Sequence, residues 1–302
     1  MKEEFQSMTD SLWQAAAERH LKVRFGHLRQ LGGGDFAQSL SAEIVSAEHG
    51  ATVEIGALIF VKTHENPPGN HFSTEASGLR WLKEAGSVAI PSVLGVSDDP
   101  PYLALEWIDE GGRSAGSEST FGASLAALHQ SPCACFGRED RRTTGSLGLP
   151  NEPCDSWAEF YSTQRLLPLA RIASDRRALS ESMTQRIESL AGRLDEFTEC
   201  DVPPSRLHGD LWAGNRLVDR QGVNWLIDPA CHGGHREFDL AMMQLFGGYG
   251  QRCFDVYKER FPLSAGWQER IQLHQLAPLI THAIKFGRSY VAPTDEALSK
   301  YE

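Results

Sequence analysis

Three side chains that could together handle a phosphoryl group stand within one short stretch. Asp210 follows His208 and Gly209, Asn215 lies downstream of it across four intervening residues, and Asp228 closes the apolar run Trp225-Leu226-Ile227. A carboxylate can orient or deprotonate an acceptor hydroxyl, and an amide with a second carboxylate offers oxygen ligands for Mg²⁺; phosphoryl transfer from ATP needs both functions at once. The spacing Asp-x-x-x-x-Asn is common and alone marks only a polar turn. His-Gly ahead of it, and an apolar strand ending in Asp behind it, raise the stretch 205–231 to a candidate site. It reads as a short strand pair holding an acid, an amide and a second acid.

The elements that must serve such a site precede it. Leu12, Trp13, Ala16, Ala17 and Leu21 share one face of a first helix expected over 8–20. Gly32-Gly33-Gly34 would let backbone N–H groups approach an anion, although the run is not G-x-G-x-x-G and a plain flexible loop fits it equally well. Strands are expected over 39–46 and 52–62, the second ending in Lys62. Phe72, Ala76, Leu79 and Leu82 fit a helix over 72–85 with Glu75 in its first turns, and strands are expected over 88–96 and 102–108. The last of these runs into Asp109-Glu110-Gly111-Gly112-Arg113, the best boundary in the chain. It divides a strand-rich part, 1–108, from a mainly helical part, 109–302. A connector of this kind can present backbone C=O and N–H groups to an adenine edge.

Beyond the connector, helices are expected over 121–130, 157–173, 179–197 and 253–261, with an irregular stretch over 131–155. Asp239 reads as the cap of a helix over 240–246. Residues 267–290 read as a long helix or as a pair broken at Pro278. The order predicts a two-lobed α+β protein with a nucleotide cleft between its lobes. His232, His235, His274 and His282 fit no metal-site spacing, nor does Cys133-Ala134-Cys135 with His129 before it.

A net charge of −11 argues against nucleic acid or an anionic membrane as the main partner. The N-terminus lacks a signal pattern, the run Ala57–Val61 is far too short to span a bilayer, and scattered cysteines suggest reduced thiols. A cytoplasmic location, without membrane or nucleic-acid partners and as a monomer, is expected.

With these elements placed, the sequence resembles the fructosamine/ketosamine-3-kinase family, a branch of the aminoglycoside-phosphotransferase-like small-molecule kinases with a protein-kinase-like fold. The resemblance rests on His208-Gly209-Asp210-Leu211-Trp212-Ala213-Gly214-Asn215, on Asp228-Pro229-Ala230, and on Gly234-His235-Arg236-Glu237-Phe238-Asp239-Leu240-Ala241-Met242. Gly32-Gly33-Gly34, Lys62, Glu75, Leu105-Glu106 and Arg165-Leu166-Leu167-Pro168 follow in the expected order. It implies that Asp210 is the catalytic base, that Asn215 and Asp228 bind Mg²⁺, and that Lys62 contacts ATP phosphates and pairs with Glu75. The glycines would cover the phosphates, and the backbone of Glu106, Trp107 and Ile108 would hold adenine. The acceptor implied is the 3-hydroxyl of a ketosamine, free or protein-bound, and the unstable 3-phosphate would shed its sugar, a deglycation. Two departures bear on the substrate. Gly145-Ser146-Leu147-Gly148-Leu149-Pro150-Asn151 replaces Gly-Ser-Thr-Pro-Gln-Pro-Asn, and Ile284 and Gly287-Arg288 stand where an Asn and a Gly-Gly are expected. The alternatives are an aminoglycoside- or choline-type kinase of the same fold, and a non-catalytic nucleotide-binding protein. The latter would be expected to lack Asp210, Asn215 or Asp228.

Overall fold

Alternating apolar residues in the first part of the chain build one antiparallel sheet. The computed structural model describes residues 2–32, 36–140, 143–199 and 201–302. Helix α1 (Lys2–Leu21) leads into β1 (Val23–Gln30), β2 (Gln38–Ala47) and β3 (Leu58–Thr63); α2 (His71–Glu84) then precedes β4 (Val93–Asp98) and β5 (Pro101–Glu106). The strand order is β1-β2-β3-β5-β4, antiparallel throughout. Successive strand residues face opposite sides. Ile59 and Val61 therefore join Trp13, Ala17 and Leu21 in a core beneath α1, while Phe60 packs on the other face and Lys62 reaches α2.

Three boundaries differ from expectation. Strand β1 carries no clean alternation because register shifts interrupt its pairing at Phe25, which hid it in the sequence. Residues 51–57 turn rather than extend, so β3 begins at Leu58. Within 88–92, Ala89 bridges to Trp225 and accepts Leu226 N–H at 3.0 Å. That segment divides its backbone between the 205–231 stretch, through Ala89, and the sheet, where Ser92 O accepts Glu106 N–H at 3.0 Å.

The rest is mainly helical. Ser114 and Ser117 form a capping box, so α3 (Ala115–His129) starts ahead of the expected Phe121. There follow the short pair β6 (Thr143–Thr144) and β7 (Leu149–Pro150), then α4 (Trp157–Phe160), a π-helical turn over Tyr161–Leu166, α5 (Leu167–Asp175) and α6 (Glu181–Ala191). Short strands β8 (Ser205–Leu207), β9 (Arg216–Val218), β10 (Asn224–Leu226) and β11 (His232–Gly234) pair as β9 with β10 and β8 with β11. Helices α7 (Glu237–Leu245), α8 (Gln251–Arg260), α9 (Trp267–Phe286) and α10 (Val291–Leu298) complete the chain. A core around Phe72, Leu79 and Leu105 runs on into Phe121, Leu125, Leu211 and Leu240, so the sheet and the helices share packing across the cleft floor.

Helix α9 is unbroken although Pro278 lies inside it. Proline has no N–H to give the carbonyl of His274. Tyr161 inserts at this turn: its hydroxyl donates to Leu273 O at 2.7 Å, lies 3.3 Å from His274 O, and accepts Ala277 N–H at 3.1 Å. Among the described residues no helix is long and apolar enough to cross a membrane.

Candidate active site

The antiparallel pair β9–β10 brings Asn215 and Asp228, from the two sides of the hairpin, together. Ile227 N–H donates to Asn215 O at 3.0 Å, which sets Asp228 beside the loop that carries Asp210. The Asn215 amide nitrogen donates to Asp210 O at 2.8 Å, to Asp210 Oδ2 at 3.1 Å and to Asp228 O at 3.4 Å. With the nitrogen so committed, the amide oxygen remains as an acceptor or ligand. Asp228 leaves the strand in the left-handed region (φ 55°), which Asp tolerates better than most residues.

A second layer holds this loop from beneath. Asp239 is not the cap expected for its helix. It lies inside α7, fully buried, and its carboxylate accepts His208 N–H at 2.8 Å and Gly209 N–H at 2.9 Å. His129 Nε2 bonds the same carboxylate at 3.2 Å, and His129 Nδ1 bonds the Tyr257 hydroxyl at 2.8 Å. Burial would raise the Asp239 pKa, but these bonds and the histidines outweigh it and hold the carboxyl below its usual range. Burial also pushes the His208 pKa down. A neutral imidazole fits its contacts: Nε2 donates to Ile227 O at 2.9 Å, and Nδ1 accepts Asp210 N–H at 3.2 Å. Gly209 adopts φ +80°, and a Cβ there would overlap the carbonyl of Ala230. Sequence reasoning missed Asp239 and His129 as supports. An acid in the first turn of a helix reads as a cap unless its distant partners are known.

From the sheet, Lys62 Nζ donates to Glu75 Oε1 at 2.8 Å, both buried, and also to Asp228 Oδ1. Helix α2, which carries Glu75, is tied to the helical part: the guanidiniums of Arg138 and Arg206 both pack on the Trp81 ring, each 4.5 Å from its centre. Gly32, Glu106, Trp107, Ile108, Asp210, Asn215 and Asp228 line one cleft of about 910 Å³. Lys62 and Glu75 sit behind that wall, and Gly33 and Gly34 lie outside the described residues. The Glu106 carboxylate is turned to Ser92 N–H and Oγ, at 3.0 and 2.8 Å. The connector is fixed by Gly111 N–H on Val218 O at 2.7 Å.

The cleft runs on past Asp210 to a second end, walled by Ser146, Leu147, Arg165, Trp212, His282 and Lys285 among others. Arg165 is buried and builds this wall rather than facing open solvent. It donates to Pro150 O at 2.7 Å, to Gln164 O at 2.8 Å and to Asn151 Oδ1 at 3.0 Å. Of the two departures noted in the sequence, the 145–149 turn lines the cleft, whereas Ile284 packs against the helical core. Nothing in the sequence singled out Lys285.

His235, Glu237 and His274 also come together, although their spacing gave no hint of it. Their ligating atoms all lie within 4.8 Å of one another, and all three residues are buried. Arg270, however, takes both Glu237 oxygens, at 2.7 and 2.8 Å, and so stands where a cation would. The two imidazoles stack with centroids 5.2 Å apart. We read this group as a closed ion pair that fixes α7 to α9.

The site can now be set beside known proteins. A sequence model of the fructosamine kinase family matches residues 10–301. The chain belongs to the fructosamine kinase family. A probable ketoamine kinase of Enterococcus faecium is 33% identical over 270 residues, spanning 89% of this chain and 93% of the relative. The crystal structure of a Thermobifida fusca protein assigned as a fructosamine-3-kinase superposes with a TM-score of 0.84 at 35% identity, covering 95% of this chain and 97% of that one. A choline kinase of Streptococcus pneumoniae shares the fold alone, at a TM-score of 0.61 and 16% identity over 96% and 97% of the two chains. The fold of this family member is thus the two-lobed protein-kinase-like one expected, a strand-rich first lobe on a mainly helical second.

Proposed function

We propose that this fructosamine kinase transfers the γ-phosphoryl group of ATP to the 3-hydroxyl of a ketosamine, in the cytoplasm, with residues 1–108 and 109–302 as its two lobes. The observation that carries the reading is the meeting of Lys62, Asp228, Asn215 and Asp210 in one cleft whose wall continues into the connector at 106–108. In this reading adenine lies against Ile108, Leu217 and Phe60, with the backbone of 106–108 at its edge. Gly32 to Gly34 cover the phosphates, and Lys62, oriented by Glu75, meets them.

Asp210 faces the acceptor hydroxyl. Its carboxylate is aimed by the Asn215 amide and its backbone by His208, itself hung on Asp239. The base is thereby held in place before the acceptor arrives, which is how a positioned group lowers a barrier without moving. Asn215 and Asp228 would hold Mg²⁺. The amide has an uncommitted oxygen, and the Asp228 carboxylate, with its side chain 34% exposed, opens to the cleft. Both are the hard oxygen donors that this ion takes. When bound, Mg²⁺ neutralises charge on the phosphate oxygens.

The aminoglycoside- and choline-type alternative draws only on shared fold, and the family match disfavours it. The test is an ATP-consumption panel of ribulosyl-lysine, erythrulosyl-lysine, fructosyl-lysine, choline and an aminoglycoside, with the phosphate located by NMR. Turnover of a ketosamine with phosphate on carbon 3 is expected. Turnover of choline or the aminoglycoside without any ketosamine would reject the reading.

A further inference from the structure

Lys62 stands on β3 and Glu75 on α2, so their pairing lasts only while the helix keeps its place. The start of α2 is held from within the strand-rich part: Asp98 Oδ1, at the end of β4, accepts Phe72 N–H and Ser73 N–H, both at 3.1 Å. Beyond Glu75 the ties come from the helical part. Gly78 lies so close to the segment after Asp228 that a Cβ there would stand 3.1 Å from Cys231 Sγ. Ser77 and Trp81 meet the loop that follows α3. Arg138, 5% exposed, donates from Nη2 to Ser77 Oγ at 3.0 Å and places its guanidinium 4.5 Å from the centre of the Trp81 ring. Asp140 closes the triangle: its carboxylate accepts Ser77 Oγ–H at 2.8 Å and both Nε–H and Nη2–H of Arg138, each at 2.8 Å. Arg206 adds a second cation on the ring and donates to Trp81 O.

The arm that carries Arg138 is itself anchored beside the transfer site. Gly137 and Gly233 exchange backbone hydrogen bonds at 2.8 and 2.9 Å, and Arg138 N–H donates to Asn151 O at 3.0 Å. Gly233 lies in β11, the strand that follows the Asp228 segment. A buried planar fork held by a bidentate carboxylate is a rigid strut, where a flexible side chain would only fill space. A turn of α2 by about 20° would carry a carboxylate about 6 Å from the helix axis through about 2 Å. That is enough to break the 2.8 Å bond between Glu75 and Lys62. We propose that Arg138 is a positioning residue for Lys62: by fixing Ser77 and Trp81 it sets the rotation of α2, and with it the reach of Glu75, before the nucleotide arrives. This rests on the reading of Lys62 as the phosphate contact. The same clamp also adds stability, and the test must separate that role from positioning.

The test is a double-mutant cycle between Arg138 and Glu75 in the full-length enzyme, with ATP varied and ribulosyl-lysine as acceptor. Arg138→Met should lower kcat/KM for ATP about tenfold, with KM for ribulosyl-lysine unmoved. In a Glu75→Gln background the same substitution should cost less than about twofold, because the group it positions is already lost. Arg138→Lys should recover part of the loss, since an ammonium keeps the charge on the ring but not the fork on Asp140. Ser77→Ala removes only the hydroxyl between α2 and that fork and should lower kcat/KM for ATP about threefold; it carries the test should Arg138→Met not fold. Calorimetric titration of MgATP should repeat the pattern with no acceptor present, so failure of the ketosamine reading leaves this comparison intact. A clamp that only stabilises would lower the urea midpoint and cost the same factor in both backgrounds, which overturns the inference. So would undiminished kcat/KM for ATP in both Arg138→Met and Ser77→Ala. Undiminished kcat/KM for ATP in Glu75→Gln overturns it together with the role given to Lys62.

Discussion

Asp210–Asn215–Asp228 and His235–Glu237–His274 arise from neighbouring parts of one chain segment, and both gather acids with ligating atoms. They differ in what fills the space between. At the first, Lys62 reaches one Asp228 oxygen from another lobe, and all three residues line an open cleft. At the second, Arg270 takes both oxygens of Glu237, whose side chain is 2% exposed. A set of good ligands becomes a binding site only where the protein leaves a partner out. Where an internal cation completes the set, the same residue types act as a staple, and burial makes that staple costly to break.

The sharpest way to break this comparison is to remove one acid from each group. Asp210→Ala should lower kcat by about 10³-fold or more, the upper range for a positioned base. Its melting temperature and nucleotide affinity should stay near those of the parent, because Asp210 is not what holds the loop. A coupled ATPase assay with calorimetric nucleotide titration reads both. Activity within tenfold of the parent would remove Asp210 from its assigned role. Metal removal probes the same contrast. Excess chelator should abolish turnover and restored Mg²⁺ should recover it, while the melting temperature of the ligand-free protein stays unmoved. A fall in melting temperature on chelation would mean that the buried group holds a metal after all.

Glu237→Ala is the converse. It leaves Arg270 with only the partly exposed Glu199, at 3.6 Å, beside two buried imidazoles, and a broken buried pair costs about 3–5 kcal/mol. Stability by urea denaturation should drop by that order, while kcat measured well below the transition stays within a few-fold. The double variant Glu237→Leu/Arg270→Met should recover part of the loss, since the one charge then left without its arginine, Glu199, is partly exposed. A double variant no more stable than Glu237→Ala would argue that the group does more than join α7 to α9.

What could be read from the sequence follows the range of the interactions. Asp210, Asn215 and Asp228 lie within one hairpin, so local spacing alone brings them into view. Lys62 and Glu75 could be set in order along the chain, but their meeting with Asp228 depends on how α2 is clamped through Trp81 to Arg138 and Arg206, which no local pattern reveals. Asp239 was misread because its partners, His208, Gly209 and His129, are remote in sequence, and an acid opening a helix has a simpler local explanation. The break suspected at Pro278 is absent, and at that turn the Tyr161 hydroxyl, remote in sequence, stands between Leu273 O and Ala277 N–H. The far wall of the cleft is the extreme case. It is assembled from the 145–149 turn, the π-helical turn and the end of α9, which are far apart along the chain.

The smallest expected effect is a pH dependence to which the buried His232 and His235 contribute. Burial, with Arg165 nearby, holds His232 neutral down to a pKa of about 3. Burial, together with the adjacent His274, does the same for His235, also to about 3. In the unfolded chain both titrate near 6.5. Above that pH neither state binds the extra proton and stability is level. As pH falls below 6.5 the unfolded chain takes up protons that the folded one refuses, and stability is lost progressively until the folded pKa is reached. Glu237, held down to about 2 because the bonds from His274 and Arg270 outweigh its burial, adds a further loss below its ordinary value of 4.5. Linkage puts the cost near pH 5 at about 2 kcal/mol for each histidine. Urea midpoints should therefore fall steadily from pH 7 to pH 5. His235→Gln, whatever its stability at neutral pH, should remove its share of that slope and leave the shares of His232 and the buried His208. A slope unchanged in that variant would show that His235 accepts its proton in the folded state, and the group around Glu237 would then be open to solvent in a way that its geometry denies.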